Sequence, residues 1–491
     1  MSQDTILDVA IVGAGISGIG FAARLGRELP HKRFVVLERR SRVGGTWDLF
    51  RYPGIRSDSD MYTLGFSFAP WRSDNAVGSG AAIRDYLEQV AHDFGVAPHI
   101  RFDTRITGAD WNSSAQCWEL AIADAPPVRA RFLYLGAGYY DHDRPHDAAI
   151  PGLAAFGGEV IHPQFWPADR DLAGKRVVVI GSGATAVSLV PALAAAGAAV
   201  TMLQRTPTWY LILPSKDRMA RLARRLLPAG WAHRLIRARN ARLQDMVYKR
   251  SRSDPEGLAA WLKGNVRRAL GDAWNEADFT PPYAPWDQRL CLVPDADLFR
   301  TIRKGRARVV TGAIAQVESD SIVLDDGRRI AADVIVTATG LALAPLGGIA
   351  VRVDGTPVNL GERWWYRDCM FSNLPNFAAL FGYLNAGWTL RVEIVADYLC
   401  RLLLQMDAWG ARVVTPVLPP DREPEAADLF AGFSSGYLQR GAHLLPRNAA
   451  KGPWRLEMDH FTDRAMLADA PLDDEWLRYE RAPLVESGAS T

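Results

Sequence analysis

The chain has 491 residues, of which 48% are hydrophobic and 23% are charged, and its formal net charge is +2 at pH 7. This length predicts several domains rather than one core, and the small net charge gives no reason to expect a nucleic-acid partner. The four cysteines are widely separated and the nine histidines lack metal-ligand spacing, so we expect neither a disulfide framework, nor a paired-cysteine redox centre, nor a metal site.

The first ordered unit is a glycine-rich turn between an apolar strand and a helix. Residues 6–12 have the pattern of a buried strand, and Gly13, Gly15 and Gly18 follow with the spacing G-x-G-x-x-G. In this context the glycines permit a tight turn, close approach of a pyrophosphate to the backbone, and close helix–strand packing. Glu38 ends the next apolar run, where an acidic side chain can hold a ribose hydroxyl. The unit therefore predicts a dinucleotide site.

A second unit of the same kind begins near residue 175. Residues 175–180 repeat the buried-strand pattern and precede Gly181 and Gly183, with alanine in place of the third glycine, which the motif tolerates. The following strand ends at Arg205 and Thr206 without an acidic residue. Because arginine beside threonine suits a 2′-phosphate, we expect NADPH at the second site and FAD at the first. The alternative is that Arg205 is an ordinary solvated residue.

Two motifs outside the glycine turns add further information. Residues 156–167 have the spacing F-x-G-x-x-x-H-x-x-x-W-P, and residues 44–58 have G-G-x-W-x-x-x-x-Y-P-G-x-x-x-D. Both spacings resemble the fingerprints of type I Baeyer–Villiger monooxygenases, flavoenzymes that insert an oxygen atom beside a carbonyl. Residues 59–66 resemble the ethionamide-activating subgroup of that family. Without this resemblance, the first motif would be interpreted as a glycine-rich linker and Asp58 as a turn cap.

The resemblance implies an α/β fold with two Rossmann-like dinucleotide-binding domains, for FAD and NADP, and an inserted helical subdomain. We expect the FAD domain at residues 1–145 and 345–491, the NADP domain at 150–214 and 296–344, and the helical insertion at 215–295. The insertion carries many arginines at helical spacing. Such a basic face is usually solvated, and peripheral contact with anionic lipid is the less favoured alternative.

The resemblance also assigns site residues. Arg289 lies at the position of the family's catalytic arginine, and Asp58 would orient it and modulate its charge. Gln288 stands where many members have lysine, which weakens the expectation of a second cationic contact to NADP. The expected cofactor contacts are Gly13, Gly15, Ser17, Gly18, Glu38, Gly45, Thr46, Trp47, Asp58, Tyr62, Gly181, Ser182, Gly183, Thr185, Arg205, Thr206, Ala338, Thr339 and Gly340. The residues expected to couple domain movement to cofactor binding are Phe156, Gly158, His162 and Trp166.

The resemblance implies an NADPH- and O2-dependent flavin monooxygenase that converts ketones to esters or lactones through a C4a-peroxyflavin. Oxygenation of sulfides and thioamides is an expected second reaction. A buried peroxide anion needs a fixed cation, and Arg289 is the candidate. The expected partners are a small ketone or sulfide and no nucleic acid. The N-terminus lacks a signal-peptide pattern, so we expect a cytoplasmic protein.

Three other interpretations are open at this point. A type II flavin N- or S-oxygenase shares the two dinucleotide units, but its linker fingerprint lacks the Trp-Pro ending seen at Trp166. A disulfide reductase is disfavoured because no closely spaced cysteine pair exists. From another class, a flavin-binding redox sensor without turnover would share the first glycine turn and lack the reaction.

Overall fold

A computed structural model of the chain describes residues 5–429 and 431–481. The helices are α1 (Ile16–Glu28), α2 (Thr46–Leu49), α3 (Met61–Leu64), α4 (Gly80–Asp93), α5 (Ala184–Ala195), α6 (Arg218–Leu226), α7 (Ala229–Ser253), α8 (Pro255–Leu270), α9 (Glu276–Phe279), α10 (Asp297–Arg303), α11 (Trp388–Trp409), α12 (Gly436–Gly441) and α13 (His460–Ala468). The strands are β1 (Leu7–Val12), β2 (Phe34–Leu37), β3 (Ile100–Arg101), β4 (Ile106–Asn112), β5 (Cys117–Ile122), β6 (Ala125–Leu135), β7 (Glu159–Ile161), β8 (Arg176–Ile180), β9 (Ala199–Gln204), β10 (Tyr210–Leu213), β11 (Cys291–Pro294), β12 (Ala307–Thr311), β13 (Ile314–Val317), β14 (Ser321–Leu324), β15 (Arg329–Ala331), β16 (Val334–Thr337), β17 (Ala350–Val353), β18 (Thr356–Pro357), β19 (Trp365–Tyr366), β20 (Met370–Phe371), β21 (Phe377–Ala379), β22 (Ala411–Pro416), β23 (Ala426–Ala427), β24 (Asn448–Ala449) and β25 (Leu477–Arg481).

The first large sheet combines strands from distant parts of the chain. Its order is β18-β17-β4-β5-β6-β1-β2-β3, and β21 also pairs with β6. Strand β1 runs parallel to β2 and to β6, with Ile11 opposite Val36 and Tyr134. Apolar strands of this kind are typical of parallel sheets covered on both faces. Because β21 also runs parallel to β6, residues after 345 return to the sheet that holds the first glycine turn.

The second large sheet has the order β12-β9-β8-β16-β7, and all its neighbouring strands are parallel. Its edge strand β7 lies within the fingerprint at residues 156–167, with Val160 opposite Ile335. A Cβ atom at Gly158 would overlap the carbonyl oxygen of Asp333, so glycine is required where the chain enters this strand. The fingerprint is therefore part of the second sheet rather than a separate linker.

The helical segment lies between two short paired strands. Strands β10 and β11 run parallel, with Tyr210 opposite Cys291, and α6, α7, α8 and α9 lie between them in the chain. Within the described part of the chain, no helix has both the length and the apolar character needed to cross a membrane.

Candidate active site

The first glycine turn is closed tightly by backbone. Gly13 has a φ of +96°, and its amide donates a hydrogen bond to the carbonyl of Leu37 at 2.8 Å. A Cβ atom at Gly18 would overlap the Gly13 carbonyl oxygen, and one at Gly15 would lie 3.6 Å from the Cα of Gly45. The motif thus brings backbone from residues 44–45 beside the turn. This bare, Cβ-free surface fits a pyrophosphate at the start of α1.

Glu38 lies where the sequence predicts a ribose contact. Its carboxylate is buried and accepts hydrogen bonds from the backbone amides of Ala14, at 2.6 Å, and Arg40, at 2.9 Å. Burial raises the pKa of Glu38, although these two hydrogen bonds and the neighbouring arginines oppose the change. The acid is therefore fixed beside the glycine turn, in a position to accept hydroxyl donors.

The fingerprint at residues 44–58 joins the first sheet to the second. The Tyr52 hydroxyl contacts Ser188 and Thr185 on α5, and burial raises the pKa of this tyrosine. Gly54 has a φ of +80°, and a Cβ atom there would overlap the carbonyl oxygen of Ser188. The glycine is needed because the loop lies directly on α5. The structure thus gives Thr185 a contact with the fingerprint loop in addition to its predicted cofactor role.

The short helix α2 lies beside this turn. Thr46 begins the helix, and Trp47 is partly buried against the first core. Asp48, which the sequence did not single out, is buried and forms ion pairs with Arg40 at 2.6 Å and Arg51 at 2.7 Å. These ion pairs lower the pKa of Asp48 despite the opposing effect of burial. The ion pairs anchor the loop that faces Gly15.

Arg289 and Asp58 lie in contact. One terminal nitrogen of Arg289 is 2.9 Å from Asp58 Oδ2, and the two side chains are 33% and 36% exposed. Arg289 Nε also donates to the carbonyl of Leu384 at 3.2 Å. Two residues further on, the Cys291 thiol donates to the carbonyl of Ser182 at 3.9 Å. The ion pair is therefore linked through the chain to the second glycine turn, and through Leu384 to the segment that leads into α11.

An aromatic group that the sequence analysis missed lies beside this pair. Trp388 Nε1 donates to Ser17 Oγ at 2.8 Å, and its ring stacks on Tyr139 with a centroid distance of 5.5 Å. The hydroxyls of Tyr139 and Tyr140 are 2.7 Å apart. Burial raises the pKa of Tyr139, while the charge of Arg289 opposes the increase. Ser17 of the first turn is therefore connected through Trp388 to Tyr139, whose hydroxyl lies near enough to Arg289 and Asp58 to feel their charges. The tyrosine pair after the small residues 136–138 was the available signal.

The second glycine turn is more open than the first. Gly181 has a φ of +134°, and a Cβ atom there would overlap the Ala338 carbonyl oxygen. Ser182 Oγ donates to the carbonyl of Thr206 at 3.0 Å. At Gly183, by contrast, a Cβ atom would meet no described atom within 4 Å. This uncovered backbone at the start of α5 fits a pyrophosphate.

The strand beside the second turn ends in a neutral buried residue and an exposed cation. The Gln204 amide donates to the Asp278 carbonyl at 2.7 Å and to Thr311 Oγ1 at 2.9 Å. Arg205, the next residue, is exposed. Thr339 has a buried hydroxyl with no hydrogen-bond partner among the described residues. An exposed cation and an unsatisfied hydroxyl near one glycine turn fit a phosphorylated ligand.

The fingerprint at residues 156–167 contacts the second site through its histidine. His162 Nδ1 accepts a hydrogen bond from the amide of Gln164 at 3.2 Å. Burial lowers the pKa of His162, and the backbone of Gly340 opposes this change. Phe156 and Trp166 pack against two different cores of the second sheet. The histidine is thus a partly buried residue beside a predicted NADPH contact, and its burial disfavours the protonated form.

Tyr62 contacts the helical insertion. This residue of α3 is 1% exposed, and its hydroxyl accepts a hydrogen bond from Arg224 at 3.0 Å. Burial raises its pKa, which the Arg224 charge opposes. The contact of Tyr62 with a cofactor stays a prediction.

The first part of the chain is similar to a known protein family. Residues 10–223 match the family model described as pyridine nucleotide-disulphide oxidoreductase. All four cysteines lie in the described part of the chain, where each is buried and none is in a disulfide. The match therefore covers the two glycine turns without a cysteine pair.

Full-length relatives identify the family. The chain is 44% identical over 487 residues to the FAD-containing monooxygenase MymA of Mycobacterium tuberculosis, covering 97% of this chain and 98% of that protein. It is 42% identical over 491 residues to the FAD-containing monooxygenase EthA of Mycolicibacterium smegmatis, covering 99% of both. The chain belongs to the FAD-containing monooxygenase family. This membership confirms the prediction of a flavin monooxygenase of the ethionamide-activating type.

Solved structures confirm the fold of this FAD-containing monooxygenase. An oxidised steroid monooxygenase bound to NADP superposes with a TM-score of 0.75 at 23% identity, covering 97% of this chain and 100% of that chain. The cyclohexanone monooxygenase of Rhodococcus sp. Phi1, bound to NADP+, also gives 0.75, at 21% identity with the same coverage. The predicted α/β class with two dinucleotide-binding units is confirmed.

Proposed function

We propose that this FAD-containing monooxygenase is an NADPH- and O2-dependent Baeyer–Villiger enzyme that converts a ketone to an ester or lactone. The observation that carries the proposal is the Arg289–Asp58 ion pair, at 2.9 Å, between the two glycine turns. Cys291 connects this segment to Ser182 of the second turn, and Tyr139 and Trp388 lie between it and the first.

The first turn would hold FAD and the second NADPH. Gly13, Gly15 and Gly18 supply the Cβ-free surface for one pyrophosphate, and Glu38 would accept ribose hydroxyls. Gly183 offers open backbone for the second pyrophosphate. A bound FAD would supply the redox chemistry of the site, namely hydride acceptance from NADPH and activation of dioxygen.

Arg289 supplies the fixed positive charge of the site. Attack on a ketone carbonyl places negative charge on oxygen, and a preoriented guanidinium stabilises that charge. Removing one such electrostatic donor typically costs about 10²–10³ in kcat. Arginine suits this role because it stays protonated at any pH at which the enzyme folds.

Asp58 and Leu384 position the guanidinium. The carboxylate holds one terminal nitrogen and the carbonyl holds Nε, so two contacts from different segments fix the plane of the group. The carboxylate also reduces the local net charge. Because both ionic side chains are about one third exposed, the pair contributes little to stability and its value is in orientation.

Arg289→Ala tests the proposal. We expect the purified variant to retain FAD and to oxidise NADPH, while ester formation from a panel of linear, cyclic and aryl ketones falls by about 100-fold or more. Oxygenation of a test sulfide should be less affected, since it does not need an anionic oxygen nucleophile. The readouts are flavin absorbance, NADPH consumption and product mass.

Two further variants serve as controls for this test. Arg289→Lys should restore part of the ester yield by keeping the charge without the paired geometry. Arg303→Ala removes an exposed arginine of α10 and should leave the ester yield unchanged. Wild-type ester formation by Arg289→Ala would show that another group carries the reaction.

A further inference from the structure

Helices α6 and α7 form a hairpin whose outward side is apolar. Six large apolar side chains define this surface, which we call the hairpin face. They are Met219, Leu222, Leu226, Leu227, Trp231 and Leu235, with exposures of 62%, 49%, 68%, 39%, 63% and 57%. Residues 228–230 at the tip of the hairpin are exposed as well. Contiguous exposed apolar surface of this kind marks an interaction site in soluble proteins.

The positions of the exposed residues along each helix show that they lie together on one side of it. On α6, Met219, Leu222 and Leu226 lie on one side, whereas Ala220 is fully buried on the other. On α7, Trp231 and Leu235 point outward while Ile236 is buried. Each helix therefore has two apolar sides, one packed in the protein and one presented to the surroundings.

The arginines of the two helices are also divided between an inner side and an outward side. Residues 218–244 contain eight arginines and no aspartate or glutamate. The arginines on the inner side are bound: Arg224 to the Tyr62 hydroxyl, Arg237 to Glu393 at 2.6 Å, and Arg239 to Asp217. Four exposed arginines form no salt bridge with any described residue. These four are Arg218, Arg225, Arg234 and Arg242.

We infer that the hairpin face docks on an anionic lipid membrane, with its apolar side chains at the acyl boundary and the four unpaired arginines among the headgroups. Tryptophan, leucine and arginine on one amphipathic surface are typical of helices that lie in the membrane interface. The guanidinium of Arg234 stacks on the Trp231 ring at 4.3 Å, which places a cation next to an apolar anchor. The attachment is peripheral, since no described helix could span a bilayer.

Charge favours a membrane over a second copy of the chain. In a symmetric dimer through the hairpin face, the four unpaired arginines would meet the same four cations, and like charges across an interface oppose binding. An anionic bilayer instead offers phosphate partners for the arginines and an apolar phase for the leucines and Trp231.

The hairpin is hydrogen-bonded to the segment that follows Asp58. Arg237 donates to the carbonyl of Tyr62 at 3.0 Å, and the Asn240 amide donates to Asp60 Oδ1 at 2.9 Å. Asp60 also caps α3 by accepting from the Thr63 amide at 3.0 Å. The hairpin that carries the hairpin face is thus hydrogen-bonded to residues 60–62, which closely follow Asp58 of the ion pair.

Vesicle flotation of the intact FAD-containing protein tests the inference. We expect binding to vesicles of phosphatidylcholine with 30% phosphatidylglycerol, weak binding to phosphatidylcholine alone, and weakening by salt. Changing Arg218, Arg225, Arg234 and Arg242 to Gln should lower partitioning by about 100-fold or more. Leu226→Ser with Trp231→Ser should also abolish binding, even at low salt. Neither set touches the ion pair, so NADPH oxidation in solution should persist.

Matched controls separate the hairpin face from general charge and exposure. Changing Arg300, Arg303, Lys304 and Arg306 to Gln removes the same charge from exposed positions around α10 and should leave flotation unchanged. Leu404→Ser removes a 55% exposed leucine of α11 and should also have no effect.

A labelled cysteine gives an independent readout. Because the native cysteines are buried, Leu226→Cys can be labelled selectively with an environment-sensitive dye, which should shift to the blue on anionic vesicles, whereas a label at Leu404→Cys should not. Failure of the wild-type protein to float, unchanged flotation of the Leu226–Trp231 variant, or a salt-resistant dimer through Leu226 would each overturn the inference.

Discussion

The two glycine turns share one backbone pattern and differ in how the chain closes around them. In the first, the Gly13 amide donates to the Leu37 carbonyl at 2.8 Å, and in the second the Gly181 amide donates to Leu203 at the same distance. This equivalence aligns Glu38 with Gln204. Glu38 faces its own glycine turn, bonded to the Ala14 amide, whereas the Gln204 amide points away from its turn toward Asp278.

The middle glycines of the two turns also differ, because the one in the first turn is more closely covered. A Cβ atom at Gly15 would lie 3.6 Å from Gly45, whereas one at Gly183 would face no described atom within 4 Å. An enclosed turn with a buried acid suits a group that stays bound, as FAD does in the proposed cycle. An open turn with an exposed arginine suits a ligand that enters as NADPH. We therefore expect the two turns to exchange their ligands at different rates, because different segments pack against the same motif.

The largest effect is expected from Gly18→Ala. The new Cβ atom would overlap the Gly13 carbonyl oxygen, and this backbone cannot move without breaking the turn. Overpacking of this kind costs about 1–3 kcal/mol or more. We expect loss of FAD together with a lower thermal midpoint, measured by flavin absorbance per protein and by thermal unfolding.

Ala186→Gly is the matched control, because Ala186 is the equivalent residue of the second turn and is buried. Its expected cost is only that of glycine in a helix, about 0.5–1 kcal/mol, with full FAD content. A Gly18→Ala protein with normal flavin and an unchanged thermal midpoint would contradict the enclosed description of the first turn.

Gly183→Ala should affect the second ligand alone. The open space around this residue lets the protein fold and retain FAD, but the methyl group would block backbone donors from a pyrophosphate. Losing a hydrogen bond to a charged group costs about 1.5–3 kcal/mol, so we expect the KM for NADPH to rise by about 30-fold. Steady-state kinetics measure this, and an unchanged KM would remove the pyrophosphate from this turn.

Arg205→Ala should have a smaller and more selective effect. A hydrogen bond from arginine to a charged phosphate contributes about 1.5 kcal/mol at the lower end of the usual range, which is roughly tenfold in affinity. We expect the KM for NADPH to rise by about tenfold while that for NADH stays nearly constant. The ratio of the two values is the measurement, with Arg205→Lys as a partial rescue. An equal rise for both nucleotides would place the 2′-phosphate elsewhere.

Much of the site could be predicted because its signals are local. Each glycine turn lies between its own strand and helix, so spacing alone located Gly13 and Gly181. The resemblance to the family indicated Asp58 through the fingerprint at residues 44–58 and Arg289 through a separate segment, and the structure brings the two together. Their roles, the domain boundaries and the coupling role of His162 stay predictions. The fingerprint gave no sign that residues 159–161 form an edge strand, since strand pairing depends on distant residues.

Other features could not be predicted, for a physical reason. The contact of Trp388 with Ser17 joins segments that are far apart in sequence, and no periodicity encodes it. On α6 the helical spacing indicated an arginine-rich face, but both remaining sides carry apolar residues. Only packing shows that Ala220 is buried while Leu226 is exposed. The prediction of a basic helix with a solvated face therefore did not include this exposed apolar face.

The smallest expected effect is a pH dependence of stability, which distinguishes the ionisable Glu38 from the neutral Gln204. Burial raises the folded-state pKa of Glu38 above the 4.5 of an ordinary glutamate. Its contribution to stability is therefore fully present below about 4.5 and is lost as the pH rises through the folded-state pKa. In the FAD-free protein, the free energy of unfolding relative to Glu38→Gln should fall as the pH rises above about 4.5, by about 1.4 kcal/mol per unit of pKa difference. Urea unfolding at several pH values measures this difference, with the exposed Glu362→Gln as the control. A difference that stays constant or grows with pH would mean that the first turn already stabilises the ionised carboxylate without its ligand, and that the two turns differ in shape but not in charge.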